Sequence, residues 1–332
     1  SDLSGNIARH AVLAAGWPHS VPGVTLDRKC GSFQQSVHFA AQAIATGVMD
    51  VVVASGVEMM SRIPMKTNRL GRDELGPMFA QEMPEGLISQ GISAELIASR
   101  WELSRGKLDA FSARSHQRAA RARDSGYLSD AIVPVEVDGA TVTADEGIRD
   151  TTTEEILQTL RPAFERADML ERFPQIDWRV TAGNSSQVTD GAAATLVVSE
   201  EALERYGLTP RGKIVGMSVV GDDPIMMLTG IIPATQKVLQ QTGIRLEDIS
   251  VAEINEAFAS VVLAWCEEYP MDEGLVNPWG GAIAYGHPVG ASGGRLLANL
   301  LGFLEHSKGK YGLWSMCESG GMANATILES VR

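Results

Sequence analysis

The chain of 332 residues is 44% hydrophobic and 21% charged, a composition typical of a globular protein with room for a large core and two domains. Its 41 acidic and 28 basic residues leave a formal net charge of −13, which argues against general binding to nucleic acid or to an anionic membrane, where a basic face is expected. Three cysteines supply no disulfide framework and point to a reducing compartment, no apolar run is long enough to span a bilayer, and no signal peptide is visible.

In chain order, Asn6 to Ala15 reads as a helix closing at Gly16-Trp17-Pro18. Val21 to Leu26 reads as a strand, and a helix with Phe33, Val37, Ala40, Ala41 and Ile44 at helical spacing runs to Thr46. Asp50 to Ala54 follows as a short buried strand, so this βαβ unit predicts a parallel sheet covered by helices. Residues 59–100 carry scattered Gly, Pro and Met and little periodicity, and are expected to be a long functional loop region. Its methionines, Met59, Met60, Met65, Met78 and Met83, line an adaptable acyl pocket or fill irregular packing. Ser104 caps a helix through Arg123, whose basic run Arg114 to Arg123 is either a patch for a phosphorylated ligand or a solvated face. Short strand-like pieces at Ile132 to Val137 and a polar helix near Thr153 to Leu160 come next. A polar turn from Val180 to Gly191 then leads into a buried strand at Ala192 to Val198. The break at Pro210 and Gly212 marks a domain boundary.

The second half alternates again. Strands are expected at Lys213 to Val220, Val251 to Ile254, Tyr311 to Met316 and Ala323 to Glu329. Helices are expected from Pro233 to Gly243, Glu256 to Glu268 and Arg295 to His306. The order of elements around Cys30 resembles that between Asn277 and Cys317, as two similar α/β halves would produce.

Four turns carry candidate chemistry. Cys30 sits at a strand-to-helix turn, where a helix N-terminus favours a thiolate; the alternative is a small buried apolar residue. Asn255 is either a helix cap or a holder of a water or carbonyl oxygen. His287, in Gly286-His287-Pro288, has little around it to pack against, which favours a functional ring on an ordered turn. Cys317 ends a strand before Glu318-Ser319-Gly320-Gly321, a turn whose N–H groups can hold an oxyanion. A Cys–His pair supports acyl transfer through a thioester, with a further Cys as acid or base.

Taken together, Cys30-Gly31-Ser32, Ala182-Gly183-Asn184-Ser185-Ser186, Asn255-Glu256-Ala257-Phe258, Gly280 to Gly293 with Gly286-His287-Pro288, and Cys317 before its glycine turn resemble the thiolase family over essentially the whole chain. The resemblance implies an α/β fold of duplicated βαβαβαββ halves, with mixed sheets covered by helices and an inserted helical loop domain. The N-terminal half would comprise residues 1–58 and 179–207, the loop domain 59–178 and the C-terminal half 208–332. It implies thiolysis of a 3-ketoacyl-CoA, or the reverse Claisen condensation. Cys30 would carry the acyl group, His287 would activate it, and Asn255 would hold a water. Cys317 would move the proton at the α-carbon, and the N–H groups of Cys30 and Ser319 would form an oxyanion hole. Ser186, Met227, Ala257 and Phe258 would lie along the pantetheine of coenzyme A, which is a substrate; no metal or redox cofactor is implied. A cytoplasmic homodimer or homotetramer is expected.

Three departures from the family pattern bear on these expectations. Ser319 stands where the family usually has Gly, which would strain a turn needing positive φ. Family members carry a strand and a helix ahead of the segment starting at Ser1, so the first half-sheet is expected to have unprotected edges unless another polypeptide supplies the missing piece. The Arg62 to Met83 region matches biosynthetic members poorly and points to longer or bulkier acyl groups. The alternative function is a thiolase-like protein that binds acyl-CoA or lipid without turnover. A ketosynthase-type enzyme is disfavoured by Cys317, and an NAD enzyme by the lack of a Gly-x-Gly-x-x-Gly turn after a strand.

Overall fold

The computed structural model describes residues 5–65, 67, 70, 71 and 75–331. Ser1, and positions 66, 68, 69 and 72–74 of the expected loop region, lie outside the described residues. The chain opens with α1 (Ile7–Ala14), capped by the Asn6 side chain, which accepts from the Arg9 N–H. Val21 to Leu26 is extended but not a strand, because no neighbouring strand among the described residues offers it a ladder. The turn at Arg28 to Gly31 leads into α2 (Ser32–Ala45). β1 (Val51–Met59) is longer than expected, and it alternates in burial with only Ala54 fully inside.

The expected featureless loop region contains two helices, α3 (Gly76–Glu82) and α4 (Gln90–Arg100). In α4 every residue from Gly91 to Ala98 is buried, so it shows no amphipathic stripe for a sequence reading to detect. Met60 is buried, whereas Met65 and Met78 face solvent, so these two neither line a pocket nor fill the core. α5 (Arg105–Asp124) begins at its Ser104 cap as expected. Part of its basic run is engaged within the protein: Arg118 donates to the carbonyls of Val276 and Glu273, Arg114 pairs with Glu273, and Arg123 pairs with Asp150. A small hairpin, β2 (Val135–Val137) with β3 (Ala140–Val142), precedes α6 (Glu154–Gln158) and α7 (Ala167–Arg172).

β4 (Asp190–Val198) returns antiparallel to β1, in register from Val51–Val198 to Met59–Asp190. The first half therefore holds an antiparallel pair rather than the parallel βαβ sheet its order suggested. After α8 (Glu200–Tyr206), the second half runs β5 (Gly212–Gly221), α9 (Ile231–Thr242), β6 (Ile249–Ile254), α10 (Ala259–Glu268), α11 (Ala282–Tyr285), α12 (Ser292–Ser307), β7 (Tyr311–Glu318) and β8 (Met322–Ser330). Its sheet is mixed, in the order β5-β8-β7-β6, with β6 parallel to β7 and the other pairs antiparallel.

The two sheets sandwich a helical layer. Phe33 and Val37 of α2 and Leu296, Leu297, Leu300 and Leu304 of α12 share one buried cluster with Ala54 of β1 and Trp314 and Met316 of β7. Helix α9 covers the far face of the larger sheet, where Val238 and Ala234 join a second cluster with Trp265 of α10 and Ala325 and Ile327 of β8. The Gln34 side chain donates to the Trp314 carbonyl and to Thr326 Oγ1, and so ties α2 to the larger sheet. This layering brings the start of α2 beside the C-terminal end of β7.

Candidate active site

Cys30 lies on a turn held by local bonds. The Asp27 carboxylate accepts from the Lys29 N–H at 2.8 Å, and Ser32 Oγ donates to the Lys29 carbonyl at 2.7 Å. Lys29 takes a left-handed φ of 51°, a strained conformation immediately before the cysteine. The thiol is buried, and the backbone N–H groups of Cys30 and Ser319 and the Gln90 side chain lie against its sulfur. Burial, followed by the nearby Glu318 charge, pushes the thiol up to about 12, so these outweigh the preference of a helix N-terminus for thiolate.

Cys317, one residue before the end of β7, is also buried. Its thiol is pushed up by burial and then by Cys30, while the Asn255 side chain bonded to it pulls the other way. Asn255 follows β6, and its N–H donates to the Ser315 carbonyl at 3.0 Å. Its Nδ2 stands 3.5 Å from His287 Nε2, and its buried Oδ1 has no hydrogen-bond partner among the described residues. Contacts thus run from Cys30 to Cys317, to Asn255 and to His287, while His287 makes no hydrogen bond to Cys30.

The His287 tautomer follows from its neighbours. Ser292 Oγ donates to the Pro288 carbonyl at 2.8 Å, so it accepts from His287 Nδ1. Nδ1 then carries the proton and Nε2 is a bare acceptor turned toward Asn255. Burial, aided by Arg295, lowers this imidazole to about 4 and keeps it neutral near pH 7. Glu256, next to Asn255, braces the structure, because its carboxylate accepts from Ser115 Oγ, Asn277 Nδ2 and the Ile283 N–H. That anchors the loop that leads to His287.

Ser186 is half-buried, and its N–H donates to the Ala257 carbonyl at 3.0 Å. Ser185 and Phe258 form an isolated bridge, so the polar turn before β4 and the Asn255 turn are joined. Met227, Ala257 and Phe258 are buried in one cluster, and the Phe258 ring meets Phe164 edge-on at 5.9 Å. Ser319 is not among the residues with positive φ; that demand falls on Gly320 at 93° and Gly321 at 77°, so the serine is accommodated without the anticipated strain. Gln90, Ser292 and Glu318 were given no role in the sequence reading. Ser292 stood within a motif already singled out, but Gln90 opens a helix whose one local signal is its Ser89 cap. A separate cleft of about 1070 Å³, lined by Leu96, Arg100, Arg105, Trp178, Arg179 and Met226, opens at the other end of α4 and includes none of the four converging side chains. Among the described residues no group of His, Cys, Asp and Glu is arranged to hold a metal, and no helix is long and apolar enough to cross a membrane.

Comparison with known proteins agrees with this geometry. The thiolase N-terminal domain model matches residues 3–201, and the thiolase C-terminal domain model matches residues 208–330. The steroid 3-ketoacyl-CoA thiolase FadA6 of Mycobacterium tuberculosis is 44% identical, over 98% of this chain and 79% of its own length. A 3-ketoacyl-CoA thiolase of Bacillus subtilis is 39% identical, over 98% of this chain and 83% of its own. Human mitochondrial 3-ketoacyl-CoA thiolase, solved in complex with CoA, matches with a TM-score of 0.85 at 36% identity, covering 98% of this chain and 82% of that one. The mixed α/β layers and the turn chemistry place the molecule among the acyltransferases. The chain belongs to the thiolase family.

Proposed function

We propose that this thiolase cleaves a 3-ketoacyl-CoA with coenzyme A to acetyl-CoA and a shortened acyl-CoA, through an acyl-Cys30 intermediate, and that it also runs the reverse condensation. The observation that carries this reading is the convergence of Cys30, Cys317, Asn255 and His287 from four separate segments. The neutral His287 Nε2 takes the Cys30 proton, and the sulfur attacks the C3 carbonyl. The resulting oxyanion accepts from the N–H groups of Cys30 and Ser319, which already face that sulfur. The C2–C3 bond breaks, leaving its electron pair on C2 as a thioester enolate. Having gained a proton, His287 Nε2 is now a donor to the enolate oxygen, beside a water held by the free Asn255 Oδ1. Cys317, a protonated thiol in its buried setting, gives its proton to C2, and acetyl-CoA leaves. The incoming CoA thiol returns a proton to Cys317 and attacks acyl-Cys30, whose departing sulfur recovers its proton from His287.

Coenzyme A enters as a substrate. Ser186, Met227, Ala257 and Phe258 lie along its pantetheine, a placement supported by the bond between Ser186 and Ala257. Longer or bulkier acyl groups are the preferred substrates; the relative at 44% identity is itself named for steroid 3-ketoacyl-CoA. We further propose a cytoplasmic homodimer or homotetramer, and a division into residues 1–58 with 179–207, an inserted domain at 59–178 and a half at 208–332.

The deciding experiment is the intact mass of the chain after incubation with acetyl-CoA, followed by peptide mapping. An acetyl adduct on Cys30 is expected. CoA binding without any adduct would instead favour a binding protein without turnover.

A further inference from the structure

Glu318 follows Cys317 as the last residue of β7, and its side chain is completely buried. Oε2 accepts from Arg28 Nε at 2.8 Å, while the buried Oε1 has no hydrogen-bond partner among the described residues. The carboxylate lies against the backbone that caps α2: a Cβ on Gly31 would stand 1.9 Å from Oε1, so any larger residue there would displace the Glu318 side chain. Arg28 sits two residues before Cys30 and Glu318 one residue after Cys317. A single ion pair therefore joins the nucleophile turn to the strand end that carries the acid/base thiol. Such a buried charge is costly to hold and contributes little to stability unless fully bonded, and this one is bonded through one oxygen alone.

Its surroundings are defined. Arg28 and Cys30 face it from the turn before α2, and Cys317 is its neighbour on β7. His38 of α2 feels Arg28. Burial raises the Glu318 carboxyl to about 7, with Arg28 opposing. Its charge is the largest influence on Cys30 after burial itself.

We propose that Glu318, held by Arg28, is a positioning residue that locks the two cysteine turns together and sets its carboxylate against the Cys30 turn, where it disfavours a thiolate on that sulfur. A thiol held protonated resists adventitious alkylation and oxidation, because the thiolate is the reactive form. When His287 does take the proton, the adjacent carboxylate leaves the sulfur a stronger nucleophile. The inference rests on Cys30 as the acyl carrier, but its test reads the thiol itself.

The test is the rate of iodoacetamide alkylation at Cys30, followed by peptide mass from pH 5 to 10, in the full chain and in Glu318→Gln and Glu318→Asp. In Glu318→Gln the alkylation rate at pH 8, which follows the thiolate fraction, should rise roughly tenfold, as a fall of about one unit in the thiol's pKa requires. Glu318→Asp, which keeps the charge, should return most of the wild-type profile. An unchanged rate at pH 8 in Glu318→Gln overturns the proposal. If that variant does not fold, the wild-type curve decides: a break near pH 7 in the otherwise linear rise of log rate with pH supports the proposal, and an unbroken line overturns it. A missing acetyl adduct on Cys30 would defeat the catalytic reading while leaving this profile interpretable.

Discussion

At the scale of single residues, each group in the site is tuned by what surrounds it. Cys30 is a buried thiol rather than a free thiolate, and His287 is a neutral base whose tautomer Ser292 assigns. Replacing Cys30 with Ala should lower turnover by at least roughly 10³-fold, since no other group can carry the acyl chain. CoA binding, measured by titration calorimetry, should survive; retained turnover would remove Cys30 as nucleophile. Cys317→Ala should still allow acylation of Cys30 but block deuterium exchange at the α-carbon of an acyl-CoA. Exchange at the wild-type rate would exclude Cys317 as the acid/base. The four converging residues were legible in the sequence because each sits in a short local motif: Cys30 before Gly31 and a helix start, Asn255 at the end of β6, His287 in a glycine-rich loop, and Cys317 before a glycine turn. Gln90 and Glu318 were not. Glu318 meets Arg28 across 290 positions of sequence, and nothing local encodes such a contact.

At the scale of elements, the central pair α2 and α12 determines whether the site assembles. Leu300 is fully buried in α12, within the cluster that contains Cys30 and Phe33 of the α2 region and Trp314 of β7. Leu300→Ala should cost about 3 kcal/mol through lost burial and a residual cavity. That is expected as a lower urea midpoint, accompanied by slower Cys30 acylation because the cavity loosens the layer beneath both turns. A midpoint equal to wild type would show that this layer does not carry the fold. Helix caps and stops such as Asn6, Ser104 and Gly243 were readable because capping is local chemistry. Helix α4 was not readable, since burial on all sides erases the period a sequence reading depends on.

At the scale of the whole molecule, burial of ionisable groups ties stability to pH. His38 in α2 bonds Thr326 of β8 through Nε2 at 2.7 Å, and burial followed by Arg28 lowers it to about 4 from an ordinary 6.5. Between those values the unfolded chain binds the proton and the folded one does not. The contribution of neutral His38 is therefore complete above about 6.5 and is lost as pH falls toward 4. Over that window the loss is on the order of 3 kcal/mol. In His38→Gln, which can still bond Thr326, stability should fall less steeply with acid than in wild type. Equal slopes in denaturant titrations at pH 7 and 4.5 would show that His38 is not held neutral.

The sequence by itself determined the family, the α/β class, most helix limits and the four residues that meet in the site. Capping, periodicity and glycine turns are short-range and written residue by residue. The tertiary structure alone decided the rest. Val21 to Leu26 is β-rich by composition yet forms no strand, because a strand needs a neighbour to pair with. Asp50 to Ala54 reads as a short buried strand, but β1 runs on to Met59 against antiparallel β4 and only Ala54 is fully buried in it. The charge state of Cys30 was inverted in the same way: a helix N-terminus is visible in sequence, whereas the burial and the distant carboxylate that outweigh it exist only once the layers have closed.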